Sequence, residues 1–106
     1  QKRAMELSLL GERLPAQTAL EWGLINRVVA DETLFDEAFA LAKTLSEGPT
    51  VALGLTRKAF WESFDNSYAQ QLRLESVLQK QAGATEDNRE GVAAFREKRE
   101  ALFKGR

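Results

Sequence analysis

The stretch that decides the fold lies near the C-terminus and reads DNREGVAAFREKR at residues 87–99. Polar residues at 85–88 can cap a helix, because short polar side chains accept hydrogen bonds from the first free backbone N–H groups. Glu86, Asp87 and Glu90 fit the same helix N-terminus, where the macrodipole favours negative charge. The apolar positions of this predicted final helix are Val92, Phe95, Leu102 and Phe103.

The charge of the last twenty residues differs from that of the remainder. Residues 87–106 hold six basic and four acidic side chains, a net charge of +2, whereas residues 1–86 carry −3. With Phe95 and Phe103 interleaved, these cations could bind a phosphorylated aromatic ligand, cation against phosphate and ring against base. A final helix with the usual cations near its C-terminus is the alternative that the pattern leaves open.

Upstream of this stretch, the spacing of apolar residues predicts further helices. Asp31 or Thr33 can cap a helix whose apolar stripe follows the i, i+3, i+4, i+7 spacing of one helix face. The members of this stripe are Phe35, Ala38, Phe39, Ala42 and Leu45. Further helices are predicted over residues 4–10, 15–22, 50–64 and 68–81, with Gly11 and Gly23 ending the first two.

One stretch has the composition of a β-strand. Residues 24–30, LINRVVA, are rich in β-branched side chains and are bounded by Gly23 and Asp31. Because a single strand is not stable as a sheet, we expect this stretch either to pair with strands outside the chain or to be an extended connector. The predicted fold class is therefore mostly α, a small bundle with one short extended segment near residues 24–30.

Composition excludes several kinds of chemistry. The 106 residues include no cysteine and no histidine, which removes disulfides, thiol nucleophiles, the commonest general base and the commonest metal ligand. Glu75, on a polar line with Gln71 and Gln79, is a possible acid or base, and a solvated helix face is the simpler interpretation. The net charge of −1 argues against a nucleic-acid partner, and the lack of long apolar runs argues against a membrane span. We therefore expect a cytoplasmic protein.

Two ordered motifs resemble the crotonase superfamily, the enoyl-CoA hydratases and isomerases. Residues 4–29 are similar to the family pattern A-x-E-L-x-L-x-G-x-x-[IL]-x-A-x-x-A-x-x-x-G-L-[IV]-[NS]-x-V. Residues 87–99 are similar to its closing pattern D-x-x-E-G-x-x-A-F-x-E-K-R, and Ala42-Lys43 and Gly48-Pro49 continue the match between them. The first residue, Gln1 rather than Met, is also what a piece of a longer protein would show.

The resemblance implies a division of the chain and a mechanism. Residues 1–30 would be the end of the crotonase spiral core, and residues 31–106 the C-terminal helical region that forms homotrimers or hexamers, dimers of trimers. The family's oxyanion-hole N–H groups and acid/base carboxylates lie upstream of Ala4, so the resemblance assigns no catalytic residue here. We therefore expect the fragment alone to be inactive, with a stand-alone helical oligomerisation or interaction module as the alternative.

The resemblance also implies a ligand. In relatives, the aromatic residue and the lysine of the closing motif reach a neighbouring subunit's coenzyme A, and Phe95 and Lys98 match these positions. Coenzyme A would be part of the acyl-CoA substrate, with no tightly bound cofactor and no metal. Residues 74–87 resemble the branch of phenylacetate catabolism that isomerises a ring-epoxide phenylacetyl-CoA. Hydration and isomerisation both stay open, because the carboxylates that distinguish them are not in this stretch.

Overall fold

The architecture of the chain is helical in the computed structural model, which describes residues 2–106. Gln1, the first residue of the predicted 1–30 segment, lies outside the described residues. The helices are α1 (Lys2–Leu10), α2 (Ala16–Glu21), α3 (Leu34–Ser46), α4 (Thr50–Glu62), α5 (Tyr68–Gly83) and α6 (Glu86–Glu97). A 3-10 turn at Asp31–Thr33 precedes α3, and the chain forms two compact units, residues 1–37 and 38–106.

The first unit contains α1 and α2, both of which end as predicted. Gly11 has a positive φ of 66° and donates its N–H to Leu7 O at 3.0 Å, which closes α1. Gly23 has a φ of 73° and follows α2. Only glycine adopts this backbone conformation without a steric penalty, so both glycines end their helices for a local reason. Within the same unit, the Arg3 guanidinium lies 4.9 Å from the centroid of the Trp22 ring.

Residues 24–30 form an extended connector rather than a strand. No strand pairing is present between residues 2 and 106, and Ala30 has the extended angles φ −64° and ψ 146°. Leu24 is 59% exposed. The β-branched composition favours an extended backbone, but a ladder needs a second strand, and the described part of the chain supplies none. Within the described residues the segment is a connector, and its pairing with strands outside the chain stays a prediction.

The second unit is built on contacts of α5 with α4 and with α6. Ser67 and Gln70 form a reciprocal capping box at the start of α5, and Thr85 Oγ1 accepts a hydrogen bond from Asn88 N at the start of α6. Gln71 Nε2 donates to Ala59 O at 3.1 Å and so joins α5 to the end of α4. The caps satisfy backbone groups that the helix ends leave free. The Gln71 side chain is a second donor to Ala59 O, which also accepts the N–H of Ser63.

The final helix is shorter than the sequence predicts. α6 ends at Glu97, and Leu102 and Phe103 lie in a non-helical tail, residues 99–106, so the predicted continuation of the helix was wrong. The tail returns along α6: Asp87 N donates to Arg106 O at 3.0 Å, and a Cβ placed on Gly91 would lie 3.6 Å from the Phe103 ring. The apolar spacing was compatible with a longer helix, but contacts between the tail and α6 determine where it ends.

Large apolar side chains are exposed over much of the described chain. The buried apolar residues are Ala19, Leu78 and Ala94, and the one buried charged residue among those described is Asp87. The exposed aromatic residues of the second unit include Phe60, Trp61, Phe64, Tyr68 and Phe95. Large exposed apolar patches mark interaction sites on soluble proteins. Across residues 2–106, no helix combines the length and the apolar character that crossing a bilayer requires.

Candidate functional site

The two residues that the sequence singled out lie together at the C-terminal end of α6. Phe95 is in the last turn of the helix and is 86% exposed, although phenylalanine is usually buried. Lys98 is the first residue after the helix, is also exposed, and donates its backbone N–H towards Phe95 O at 3.4 Å. An exposed aromatic ring and an exposed ammonium group are thus presented side by side along the chain, at a helix end.

The backbone at Lys98 reverses the direction of the chain. Lys98 has φ 54° and ψ 42°, the left-handed conformation that frequently terminates helices. The N–H of Arg99 reaches back to Ala94 O at 3.1 Å, which satisfies a carbonyl group of the last turn. The residues after Lys98 are thereby directed back along α6 rather than away from it.

Asp87 anchors the far end of the tail. Its Oδ1 accepts the N–H of Lys104 at 2.7 Å and its Oδ2 accepts the N–H of Gly105 at 2.8 Å. The Asp87 residue is only 3% exposed, and its position in the first turn of α6 places the carboxylate at the positive end of the helix dipole. A buried carboxylate with both oxygens bonded to backbone N–H groups fixes the tail to the start of α6.

Glu90 and Arg99 form a second attachment, close to the reversal. Arg99 Nη1 and Nη2 donate to the two Glu90 oxygens at 2.6 and 3.0 Å, and Leu102 N donates to Glu90 Oε1 at 2.9 Å. The pKa of Glu90 is lowered to about 2, mainly by the hydrogen bond from Arg99 and secondly by that from the Leu102 N–H. Hydrogen bonds to Glu90 and Glu97 raise the pKa of Arg99 above its usual range. The geometry is bidentate, which gives this pair directional specificity.

The sequence missed the tail contacts of Asp87 and Glu90. The sequence pattern predicts only that Asp87 and Glu90 stabilise a helix N-terminus, which accounts for their position but not for their contacts with the tail. The available signal was their i, i+3 spacing, which places both carboxylates on one face of α6. That spacing alone does not show which donors the carboxylates meet.

A groove of about 880 Å³ crosses α4, α5 and α6 in the second unit. Its apolar lining includes Leu55, Phe60, Phe95 and Phe103. Glu75 lines the groove, where its Oε1 accepts a hydrogen bond from Gln71 Nε2 at 2.9 Å. All three residues of the predicted polar line of α5, Gln71, Glu75 and Gln79, line this groove, and the Glu75 carboxylate accepts a hydrogen bond from the Gln71 amide.

Residues 2–106 contain no cluster of acidic side chains that could hold a metal ion. Phe95 and Lys98 are exposed to solvent, whereas Asp87, Glu90 and Arg99 make hydrogen bonds within the chain. The described site therefore has the features of a binding surface.

The sequence and the helical fold of the chain match those of one protein family. The family model for enoyl-CoA hydratase/isomerase matches residues 1–106. The chain belongs to the enoyl-CoA hydratase/isomerase family.

Relatives and solved structures agree with this assignment. Over 104 residues the chain is 48% identical to 1,2-epoxyphenylacetyl-CoA isomerase of Escherichia coli K12, covering 98% of this chain and 40% of that protein. It is 35% identical over 101 residues to the mitochondrial enoyl-CoA hydratase of Pongo abelii, covering 95% of this chain and 35% of that protein. A crystal structure of enoyl-CoA hydratase subunit I from Geobacillus kaustophilus matches with a TM-score of 0.94 and 38% identity, covering 100% and 41% of the two chains. The chain thus spans about two fifths of the length of these proteins.

Proposed function

We propose that this chain is the C-terminal region of an enzyme that hydrates or isomerises acyl-CoA thioesters. In the proposed reaction, two peptide N–H groups stabilise the thioester oxygen as it becomes enolate-like, and a carboxylate moves a proton or activates water. By the motif order of the family, those groups belong to sequence upstream of Ala4. The role of the present residues is then to bind coenzyme A and to contact other subunits.

The observation that carries the coenzyme A role is the exposed pair at the end of α6. The Phe95 ring is 86% exposed, although burial of such a side chain is worth roughly 1.5–3 kcal/mol, so its position favours a partner outside the isolated chain. An adenine base offers a flat face for stacking, and the Lys98 ammonium group can donate to a nearby phosphate. We place these contacts on the coenzyme A of a neighbouring subunit.

Replacing Lys98 with alanine tests this role directly. Loss of one lysine–phosphate contact should weaken coenzyme A binding by about 1–3 kcal/mol. Lys80→Ala is the matched control, because it removes an exposed lysine from the last turn of α5. Titration calorimetry with coenzyme A, on protein whose oligomeric state is verified, should show weaker binding for Lys98→Ala only. Unchanged affinity with an intact oligomer would contradict the assignment.

The oligomeric role is supported by the exposed aromatic residues of α4 and the following loop. Phe60, Trp61 and Phe64 are each more than two thirds exposed in the single chain. Aromatic residues are enriched at subunit interfaces, since burying them contributes strongly to association. We propose that they are buried in a homotrimer or a hexamer, and sedimentation velocity of the whole protein should show one of these species. A stable monomer would contradict this part of the proposal.

The proposed substrate is a ring-epoxide phenylacetyl-CoA. Support comes from the 48% identity to a protein named for that isomerisation and from the resemblance of residues 74–87 to the same branch. A straight-chain unsaturated acyl-CoA is the second candidate, favoured by the match to enoyl-CoA hydratases. Comparing kcat/KM of the whole protein for the two thioesters distinguishes them, and preference for the straight-chain substrate would contradict the first choice.

A stand-alone helical interaction module is the alternative from a different class. The exposed apolar surface supports this alternative, because such a surface can bind another protein as well as another copy of this chain. Such a module would assemble into a defined oligomer from residues 1–106 alone and would not bind coenzyme A. Sedimentation and calorimetry on the isolated chain therefore separate it from the enzyme proposal.

A further inference from the structure

Lys98 combines an exposed position with a strained backbone. Among residues 2–106 it is the one residue other than glycine with a positive φ, at 54°. In this conformation the Cβ atom of an L-residue lies too close to the following carbonyl oxygen. Such strain persists only where surrounding contacts determine the backbone, and it is concentrated at functional sites. The position that carries the proposed phosphate contact is thus also the position whose backbone must be held.

Two carboxylates of α6 hold the residue that follows the reversal. Glu97 Oε2 accepts a hydrogen bond from Arg99 Nε at 2.6 Å, and Glu90 makes the contacts that reach further along the tail. Glu90, on the second turn of α6, binds the Arg99 guanidinium through two hydrogen bonds of 2.6 and 3.0 Å. The same carboxylate accepts the backbone N–H of Leu102 at 2.9 Å. Glu90 therefore fixes the side chain immediately after Lys98 and the backbone four residues after it, so the chain on that side is tied to α6.

We propose that Glu90 and Arg99 are positioning residues for the coenzyme A contact: their bidentate pair closes the reversal and holds Lys98 in its left-handed conformation. The inference rests on the proposed coenzyme A role of Lys98. A change of φ at Lys98 redirects its Cα–Cβ bond and so moves the ammonium group away from the phosphate. Phe95 belongs to the last turn of α6, before the reversal, so we expect its position to stay the same when the reversal changes.

The tail is attached to α6 at two places, and the attachment at its far end does not depend on Glu90. Asp87 binds the N–H groups of Lys104 and Gly105 at the far end of the tail. Substituting Glu90 therefore leaves the end of the tail anchored, while it removes the bidentate pair and the Leu102 contact. The Arg99–Glu97 hydrogen bond stays, so we expect the reversal to loosen rather than to unfold. This separation allows a positioning role to be measured apart from loss of the folded tail.

The test uses the whole protein with Glu90→Ala, Glu90→Gln and, as reference, Lys98→Ala. Glu86→Gln is the matched control, because Glu86 is an exposed acid of α6 paired with a tail arginine, Arg106, away from the reversal. Titration calorimetry gives coenzyme A affinity. Kinetics with an acyl-CoA and with the corresponding acyl-pantetheine, which lacks the nucleotide, divide the effect between KM and kcat.

Glu90→Ala should weaken coenzyme A binding by about fivefold or more, the same order as Lys98→Ala, and the double variant should bind no more weakly than Lys98→Ala alone. The kinetic effect should fall on KM for the acyl-CoA and leave the acyl-pantetheine unaffected. Glu90→Gln should recover part of the affinity, because its amide oxygen still accepts the Leu102 N–H. Glu86→Gln should match the wild type.

Two results would overturn the inference. In the first, Glu90→Ala binds coenzyme A as well as the wild type does, whereas Lys98→Ala binds it more weakly. This result would leave the proposed function standing and remove the positioning role of Glu90. Equal losses with both thioesters, together with a lower melting temperature, would assign Glu90 a structural role only. Normal affinity in Lys98→Ala would instead contradict the proposed function on which the inference rests.

Discussion

Replacing Asp87 with alanine is expected to release the C-terminal tail from α6. The Asp87 carboxylate accepts the N–H groups of Lys104 and Gly105 at 2.7 and 2.8 Å, and the residue is 3% exposed. The alanine variant leaves both donors without their acceptor in a partly buried position. The tail must then either detach or keep two unsatisfied N–H groups.

The magnitude follows from these two hydrogen bonds. A hydrogen bond to a charged group contributes about 1.5–3 kcal/mol, and a buried donor left without a partner costs about 1–3 kcal/mol. Water can reach part of the tail once it loosens, so the two losses do not add in full. We expect Asp87→Ala to lower the free energy of unfolding by about 2–4 kcal/mol. Asp87→Asn keeps one acceptor oxygen and should fall between alanine and the wild type.

Urea unfolding at a fixed protein concentration measures this change, because the stability of an oligomer depends on concentration. Glu86→Gln is the matched control: Glu86 neighbours Asp87, and its pair with Arg106 is exposed. An exposed pair contributes about 0–1 kcal/mol, so the control should stay close to the wild type. An Asp87→Ala variant as stable as Glu86→Gln would refute the argument that Asp87 anchors the tail.

Three further substitutions probe the end of α6. Phe95→Ala should change the free energy of unfolding of the isolated chain by under about 0.5 kcal/mol in urea titrations, because its ring is exposed. The same substitution should weaken coenzyme A binding by about 1–3 kcal/mol in calorimetry, because the stacking contact is lost. Lys98→Gly should be more stable to urea than Lys98→Ala, since glycine avoids a left-handed penalty of about 1–2 kcal/mol, whereas both should bind coenzyme A equally weakly. The pKa of Glu90 lies at about 2, below its ordinary value of 4.5, so the folded protein binds fewer protons than the unfolded chain between these values and loses stability as pH falls through them. Glu90→Gln should reduce this pH dependence of stability in urea titrations, and an unchanged dependence of stability on pH would contradict the role of the Glu90 carboxylate. Equal stabilities of Lys98→Gly and Lys98→Ala would contradict the left-handed penalty at Lys98. A large loss of stability in Phe95→Ala would contradict the exposed position of its ring.

The helices of this chain were predictable because their signals are local. Gly11 and Gly23 end helices through backbone freedom, and Ser67 and Thr85 begin them through side-chain caps. Each of these signals depends on residues within a few positions of one another. The predicted bounds therefore lie close to the observed ones for the helices before α6.

The end of α6 was not predictable from local signals. No glycine or proline lies between Phe95 and Phe103, and Lys98 is an unusual residue for a left-handed helix end. The helix stops because Asp87 and Glu90 bind the returning tail, and these contacts span up to 18 residues. Residues 24–30 illustrate the same limit, since composition favours an extended backbone but cannot supply the second strand that pairing requires.

The placement of Phe95 and Lys98 together could be predicted from the sequence, because both lie within one turn of the same helix end. The direction of the Lys98 side chain could not be predicted, since it depends on a left-handed backbone conformation next to the tail contacts of Arg99. The groove across α4, α5 and α6 likewise depends on how three helices pack, which no single motif specifies.

Turnover of acyl-CoA thioesters tests the central claim most directly. The whole protein and the isolated chain of residues 1–106 would each be incubated with an unsaturated acyl-CoA and with the ring-epoxide phenylacetyl-CoA. Formation of the hydrated or isomerised thioester would be followed by chromatography. The account predicts turnover of at least one thioester by the whole protein and of neither by the isolated chain. Turnover by the isolated chain, or none by the whole protein, would contradict it.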